Sequence, residues 1–319
     1  MGRITSRDVA KAAGVSQTTV SFALRDDHEQ RISPETRRRV RDTAAQLGYT
    51  PSQAARALKL GRTDTVLLVF PHVTLGPVAA KMLDGLTSRL EAIGLSLISR
   101  TEIPGETFSA LWTGLNPVAV ITATPPTSAE LEDMTEAGVI PIALVDERWN
   151  ERAGIAQVQH LTSRGHRVIA YAMPQNPGEA KLAGQRLAGV QEACRNAGLA
   201  SPEVQQIGLD AVDAVQAIEH WRALESPVTA VCAYNDEYAF AVLAGMRHLG
   251  LRAPADLAVI GVDNLEISPL ADPPLTTVDV GGDALDETID RIIETILAGH
   301  QKPGARTALR LQIVERESV

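Results

Sequence analysis

The sequence predicts a small all-α head joined to an α/β body of two doubly wound parallel-sheet subdomains. Three observations carry this expectation. Three short helical patterns, with a Gly-containing turn between the first two, fill the first fifty residues. From residue 63 onward, apolar runs alternate regularly with amphipathic helical stretches, the pattern of parallel sheets covered on both faces. The charge is divided as well. Residues 1–62 hold twelve Lys and Arg against six acids, net +6, so the rest of a chain of net charge −9 carries −15.

In the head, residues 7–13 form a helical pattern that Gly14 and Ser16 interrupt, as a left-handed turn followed by an N-cap does. Helix resumes over residues 17–24, and Val9, Ala10, Ala13, Val15, Val20 and Leu24 are the positions that close a core between the two. Ser33-Pro34-Glu35-Thr36 opens a third helix, with Ser33 as N-cap, Pro34 at the first helical position and an acid in the first turn. It runs to Leu47 and stops at Gly48. Residues 52–59 are helix-prone but too short to be stable alone, and read as a conditionally folded hinge. The expected organisation is a helix-turn-helix head over 1–49, a hinge and linker over 50–62, and the body over 63–319.

In the body, strands are expected at 66–70, 95–99, 118–122, 140–145, 168–173, 228–233 and 257–262. Helices are expected at 78–93, 129–137, 155–163, 181–197, 211–224, 237–249 and 283–297. The two runs part near residues 146–153, the expected crossover between subdomains. Ligands bind such sheets beyond the carboxyl ends of the strands, so a cleft between the halves is the expected site.

Composition narrows the function. The chain of 319 residues is 45% hydrophobic and 22% charged, as globular proteins are, and only 3% aromatic, so Ala, Val, Leu and Ile must build the core. Cys194 and Cys232 are too few for a disulfide framework or a thiolate metal site, and read as structural thiols in a reducing cytoplasm. No apolar run approaches the roughly 18 residues a membrane span needs. Arg3, Arg7, Asp8 and Lys11 stand where a signal peptide needs an apolar stretch. A phosphate loop, a dinucleotide glycine fingerprint, a nucleophile elbow and a zinc-type His-Glu pair are all absent from the sequence, so neither catalysis nor a cofactor or metal is expected. A stand-alone solute receptor on the same α/β fold would need a leader and no basic head. The basic head is instead the electrostatic footprint of a chain that lays its N-terminus on a polyanion.

Residues 4–24, Ile-Thr-Ser-Arg-Asp-Val-Ala-Lys-Ala-Ala-Gly-Val-Ser-Gln-Thr-Thr-Val-Ser-Phe-Ala-Leu, resemble the N-terminal signature of the lactose and galactose repressor (LacI/GalR) family. The resemblance extends through Ile32-Ser33-Pro34-Glu35-Thr36-Arg37, Leu47-Gly48-Tyr49-Thr50-Pro51 and Ala55-Arg56-Ala57-Leu58. It resumes in the body at Ala233-Tyr234-Asn235-Asp236, at 259–264 (Val-Ile-Gly-Val-Asp-Asn) and at 273–278 (Pro-Pro-Leu-Thr-Thr-Val). It implies a cytoplasmic, sequence-specific transcriptional repressor with a body of periplasmic-binding-protein type. Its implied partners are a palindromic DNA operator, a second copy of the chain, with a tetramer also open, and a small-molecule effector such as a sugar or related polar metabolite. A co-repressor or protein partner in place of an inducer stays open.

By the resemblance, residues 17–24 are the recognition helix in the major groove. Gln17, Thr18 and Thr19 can hydrogen-bond base edges or phosphates. Phe22 either presses on thymine methyls or packs. Ser16, Ser21, Arg25 and the Arg37–Arg41 cluster are candidate phosphate contacts. The hinge match places Ala55 and Leu58 on DNA, with Leu58 as an apolar wedge in the minor groove. In the body, Asp236 matches a family carboxylate that accepts from effector hydroxyls or amines, although Asp there also suits a helix N-cap. His72, Thr74, Lys181 and Tyr234 are the expected helpers. Departures from the family pattern accompany this. Leu75-Gly76-Pro77 stands where many members carry Asn-Pro and aromatics, Gly184 replaces a frequent Arg, and the chain is shorter between Asp146 and Arg152.

Overall fold

A computed structural model describes residues 4–24, 32–49, 63–70, 77–102, 107–123, 125–144, 146, 148–280, 285–299 and 311–319. It divides into two units, Met1–Thr63 and Asp64–Val319.

In the first unit, α1 (Ser6–Ala13) begins with a capping box. The Thr5 N–H and hydroxyl donate to the Asp8 carboxylate at 2.9 and 2.7 Å. Gly14, at φ 66°, ends the helix in the left-handed region that favours glycine. The chain reverses, and Ser16 opens α2 (Gln17–Ala23) by accepting the Thr19 N–H at 3.0 Å. Ser33 and Pro34 open α3 (Pro34–Gln46) as expected, the Ser33 hydroxyl accepting from Thr36 N. Val9, Ala10, Ala13, Val20, Ala23, Val40 and Ala44 form the shared core.

The second unit holds two sheets. The first has the order β2-β1-β3-β4 and is wholly parallel. Its strands are β1 (Thr65–Phe70), β2 (Ser96–Thr101), β3 (Ala119–Thr122) and β4 (Ile140–Ala143), linked by α4 (Pro77–Ala92), α5 (Phe108–Trp112) and α6 (Ser128–Glu136). The chain then enters α7 (Trp149–Ser163) and builds β5 (Ile169–Pro174), α8 (Ala180–Asn196), β6 (Glu203–Ile207), α9 (Ala211–Ala223), β7 (Ala230–Ala233), α10 (Asp236–His248) and β8 (Ala258–Val262). After β9 (Thr276–Asp279) it returns to the first sheet as α11 (Leu285–Ala298) and ends as β10 (Gln312–Val314). The second sheet runs β10-β9-β8-β7-β5-β6, parallel except for the β10–β9 pair. The strands β1, β7 and β8 are apolar along nearly their whole length because helices cover both faces.

α11 belongs with the first sheet. Ile289 fills the space over Gly85 of α4, and Arg89 donates to Asp286 at 2.9 Å and to Asp290 at 2.8 Å. A second link between the halves is Lys81 of α4, bonded to Glu266 beyond β8 at 2.8 Å. Lys81 lies in the helix that follows β1 and Glu266 in the segment that follows β8.

The chain leaves β4 at Ala143 and enters α7 at Trp149, six residues before the predicted helix at 155–163. Arg148 bonds Glu151 at 2.5 Å and Glu192 of α8 at 2.6 Å, and Arg152 bonds Asp146 at 2.6 Å, so ion pairs hold the added turn. The short strands β6, β9 and β10 were also not expected.

α7 and α8 cross very closely. A Cβ at Gly189 would overlap the Glu151 carbonyl oxygen, and one at Gly154 would overlap that of Arg186. Both clashes are with backbone, which cannot swing aside. Gly189→Ala should therefore lower the stability of the body by about 1–3 kcal/mol, the usual cost of overpacking. Urea denaturation followed by circular dichroism measures it, and an unchanged midpoint would refute the close crossing.

Candidate functional site

On the head, Gln17, Thr18 and Ser16 are exposed, Thr19, Ser21 and Phe22 half-buried, and Val20 and Ala23 buried. With 3.6 residues per turn, Gln17 and Ser21, and likewise Thr18 and Phe22, lie one above the other, so α2 shows a polar face with one aromatic opposite its core face. Val15, Leu24, Ile32, Leu47 and Tyr49 are the partly buried apolar residues that pack on the head core, and Phe22 is not among them. The Ser16 and Thr19 hydroxyls bond each other at 2.8 Å while Ser16 caps the helix. Arg38, Arg39 and Arg41 are exposed on α3. Arg25, Ala55 and Leu58 lie outside the described residues.

In the body, a polar cluster forms beyond the carboxyl ends of β7 and β8. Its centre is Arg186 of α8, only 3% exposed. Its guanidinium donates to the Tyr234 carbonyl and, at 2.9 Å, to the Asn150 side chain. It lies 4.8 Å from the Tyr234 ring centre and 5.8 Å from that of Trp149, a cation–π pairing on each. Arg186 Nε and Trp149 Nε1 are buried without a hydrogen-bond partner among the described residues. Two such donors in one place are the groups a bound polar molecule would satisfy.

Asp263 supplies the opposite charge. It is half-buried at φ 105°, and no described residue donates to its carboxylate. Burial pushes its pKa up to about 7, Arg186 pulling it down while Asp236, Glu237 and Asp279 add to the rise. Gln157 of α7, fully buried, ties the strand ends beneath, its amide donating to the carbonyls of Ala233 at 2.8 Å, Ile260 at 3.1 Å and Gly261 at 3.3 Å.

Of the expected effector residues, Tyr234 is in this cluster and Lys181 is exposed on the first turn of α8. His72 and Thr74 lie outside the described residues. Asp236 requires correction. It has no exposed surface, and its carboxylate accepts from Leu265 N at 2.9 Å, Ser268 Oγ at 2.5 Å and Thr277 Oγ1 at 2.5 Å. Its oxygens are engaged within the protein, and the capping role falls to Asn235, which accepts from Tyr238 N at 3.1 Å. The buried cation of the cluster is Arg186, and the carboxylate without a donor among the described residues is Asp263. Both stand in the family-like segments of the sequence, Arg186 at the head of Arg-Leu-Ala-Gly and Asp263 in Gly-Val-Asp-Asn, where the sequence alone pointed to no role for either. The aromatic surface absent after β1 is present here as Trp149 and Tyr234.

The Asp263 carboxyl yields a signed expectation. With its pKa raised from 3.8 to about 7, the folded protein favours the protonated form. This group therefore lowers stability progressively as pH rises from about 4 to about 7. Asp263→Asn, which also suits a positive φ, should raise the thermal midpoint of the ligand-free protein at pH 7.5, with the gap closing toward pH 4. Thermal scans across that range decide it, and equal midpoints throughout would contradict the assignment.

Comparison with known proteins bears on both regions. Residues 5–52 match the family model described as bacterial regulatory proteins, lacI family, and residues 158–319 match a periplasmic binding protein-like domain. The regulator CelR of Thermobifida fusca is 30% identical over 340 residues, 99% of this chain and 98% of the relative. DegA of Bacillus subtilis is 30% identical over 298 residues, 86% of each chain, and the repressor PurR of Vibrio cholerae 29% over 344 residues, 99% of this chain and 98% of the relative. Among solved structures, the Lac repressor dimer bound to operator and an anti-inducer superposes with TM-score 0.77 at 23% identity over 99% of both chains. A CelR–cellobiose complex superposes with TM-score 0.61 at 27% identity, over 99% of this chain and all of the other.

Proposed function

The chain belongs to the bacterial LacI family of regulatory proteins, and on that premise we propose that it is a transcriptional repressor that binds a near-palindromic operator as a dimer, its affinity set by a small polar ligand held between the two halves of the body. The observation that carries the ligand reading is Arg186, a buried guanidinium lying on the Trp149 and Tyr234 rings with its Nε unpartnered, together with Asp263, whose carboxylate feels the Arg186 charge and has no donor among the described residues. Such a site suits a molecule offering both hydrogen-bond donors and acceptors on a compact ring or chain. Support for DNA binding comes from the polar face of α2 and the basic head, with Leu58 as the wedge at the operator centre. CelR and DegA are named regulators and PurR a repressor, and the Lac repressor was crystallised as a dimer on its operator.

The dimer reading has its own support. Ile267 and Leu270 are 54% and 80% exposed, and with Phe240, Leu243 and Ala271 they line a groove of about 370 Å³. Leu209 and Val212, at the start of α9, are 59% and 66% exposed. Burying such side chains against a second copy contributes roughly 1.5–3 kcal/mol each.

Two measurements test the proposal. Sedimentation should find a dimer whose Leu270→Asp variant is monomeric, and anisotropy should find specific binding to a genomic fragment that falls steeply with salt as the +6 heads release phosphate counterions. A monomeric wild type, or salt-insensitive binding, would refute it. Calorimetry with any hit from a screen of sugars, nucleosides and polyols tests the pocket. Asp263→Asn should weaken binding at least tenfold, about 1.4 kcal/mol, while Lys181→Ala leaves it unchanged.

A further inference from the structure

The segment after β8 carries several functions on a few consecutive residues. Asp263 carries a carboxylate within electrostatic reach of Arg186, Glu266 bonds Lys81 of the other half, and Ile267 and Leu270 are the exposed apolar pair. The segment has no regular structure of its own beyond a single turn over Ser268–Leu270, and it starts with two residues in the left-handed region, Asp263 at φ 105° and Asn264 at φ 47°. Something outside it must define its path.

Asp236 does so. Its Oδ2 accepts from Leu265 N and Ser268 Oγ, which brackets Glu266 and Ile267, and its Oδ1 accepts from Thr277 Oγ1 of β9. Thr277 Oγ1 in turn accepts from Asn264 N at 3.3 Å. The carboxylate stands at the first position of α10, where the N-terminal end of the helix favours an anion. Gly261 leaves the room for it, since a Cβ there would overlap Oδ1. A buried charge is a poor source of stability compared with an apolar side chain of similar size, and its better attested use is to specify one geometry. A carboxylate with three donors from two separate chain segments defines where those segments lie.

We propose that Asp236 is a positioning residue for assembly and ligand response: it holds residues 264–270 so that the partner-facing Ile267 and Leu270 and the pocket carboxylate Asp263 keep a fixed relation. It touches neither partner nor ligand and acts through the segment it clamps. The part concerning Ile267 and Leu270 rests on the dimer reading above.

The test uses the full chain with Asp236→Ala, the conservative Asp236→Asn, and Ser268→Ala, which removes one donor and leaves the charge. Each is first shown to be folded by circular dichroism. Hydrogen exchange read by mass spectrometry should show faster exchange over 264–270 in Asp236→Ala, with the strands β5 and β7 unchanged. Sedimentation over a concentration series should show its dimer dissociation constant raised at least tenfold, with Ser268→Ala intermediate and Asp236→Asn nearer to wild type. A merely structural role would speed exchange across the whole second sheet, or leave 264–270 unchanged, and either result overturns the proposal. Loosened 264–270 with a wild-type dimer constant overturns the link to assembly. Should Leu270→Asp still dimerise, the dimer reading fails by itself, and the exchange pattern alone then decides whether Asp236 positions the segment. If Asp236→Ala does not fold, exchange and sedimentation of Ser268→Ala decide instead: faster exchange confined to 264–270 with a weakened dimer supports the proposal, and wild-type behaviour in both overturns it.

Discussion

The close crossing of α7 over α8 is the constraint on which the body depends. Gly154 and Gly189 let the two backbones approach until a single methyl group on either would overlap a carbonyl oxygen. That approach puts Asn150 and Trp149 of one helix against Arg186 of the other, and so buries a guanidinium with two of its three nitrogens hydrogen-bonded. A guanidinium fixed on two hydrogen bonds and two aromatic faces has little rotamer freedom left to lose when a ligand arrives. The same crossing aims Gln157 at the ends of β7 and β8, where one amide joins three strand-end carbonyls. Packing of two helices thus determines both the base of the candidate site and its cation.

The two carboxylates of the region divide their work by environment. Asp236 and Asp263 both follow the carboxyl ends of strands in segments that resemble the family. Asp236 is enclosed with three donors, and Asp263 is half-buried with none among the described residues. An anion with a full set of donors defines structure, whereas one without them retains binding capacity. With its carboxyl pKa pushed up by burial, Asp263 is expected to lower the stability of the ligand-free protein at neutral pH, and any ligand that donated to it would offset that cost and link occupancy to folding free energy.

Much of the fold was legible because its signals are local. Apolar runs such as those of β1 and β8 and the caps at Ser16 and Ser33 depend on neighbours in sequence, and the helices α4, α8, α9 and α10 lie within one or two residues of their expected ends. β6, β9 and β10 escaped because short strands at or near a sheet edge owe their existence to a partner strand. The first turn of α7 escaped because its start rests on ion pairs, one of them with Glu192 of α8, rather than on a cap. The candidate site was legible in part: Tyr234 lies in the cluster around Arg186, whereas Asp236, expected to face an effector, is enclosed by donors of the protein itself, and Asp263 carries no donor among the described residues. Which of two aspartates is enclosed is decided by residues 29 to 41 positions away, and no local pattern records that.

The last strand of the first sheet ends at Ala143 and α7 begins at Trp149, so the entry into the second half and the ring that lies on Arg186 are close in sequence. An insertion there would rotate the first turn of α7 and carry an aromatic ring and the Arg186 partner with it, disturbing the very crossing that needs Gly154 and Gly189. The α7 side of the candidate site therefore tolerates changes of loop length poorly, and if Arg186 and its neighbours hold a ligand, point substitution at Trp149, Tyr234 or Asp263 is the route by which descendants of this chain would change its preference.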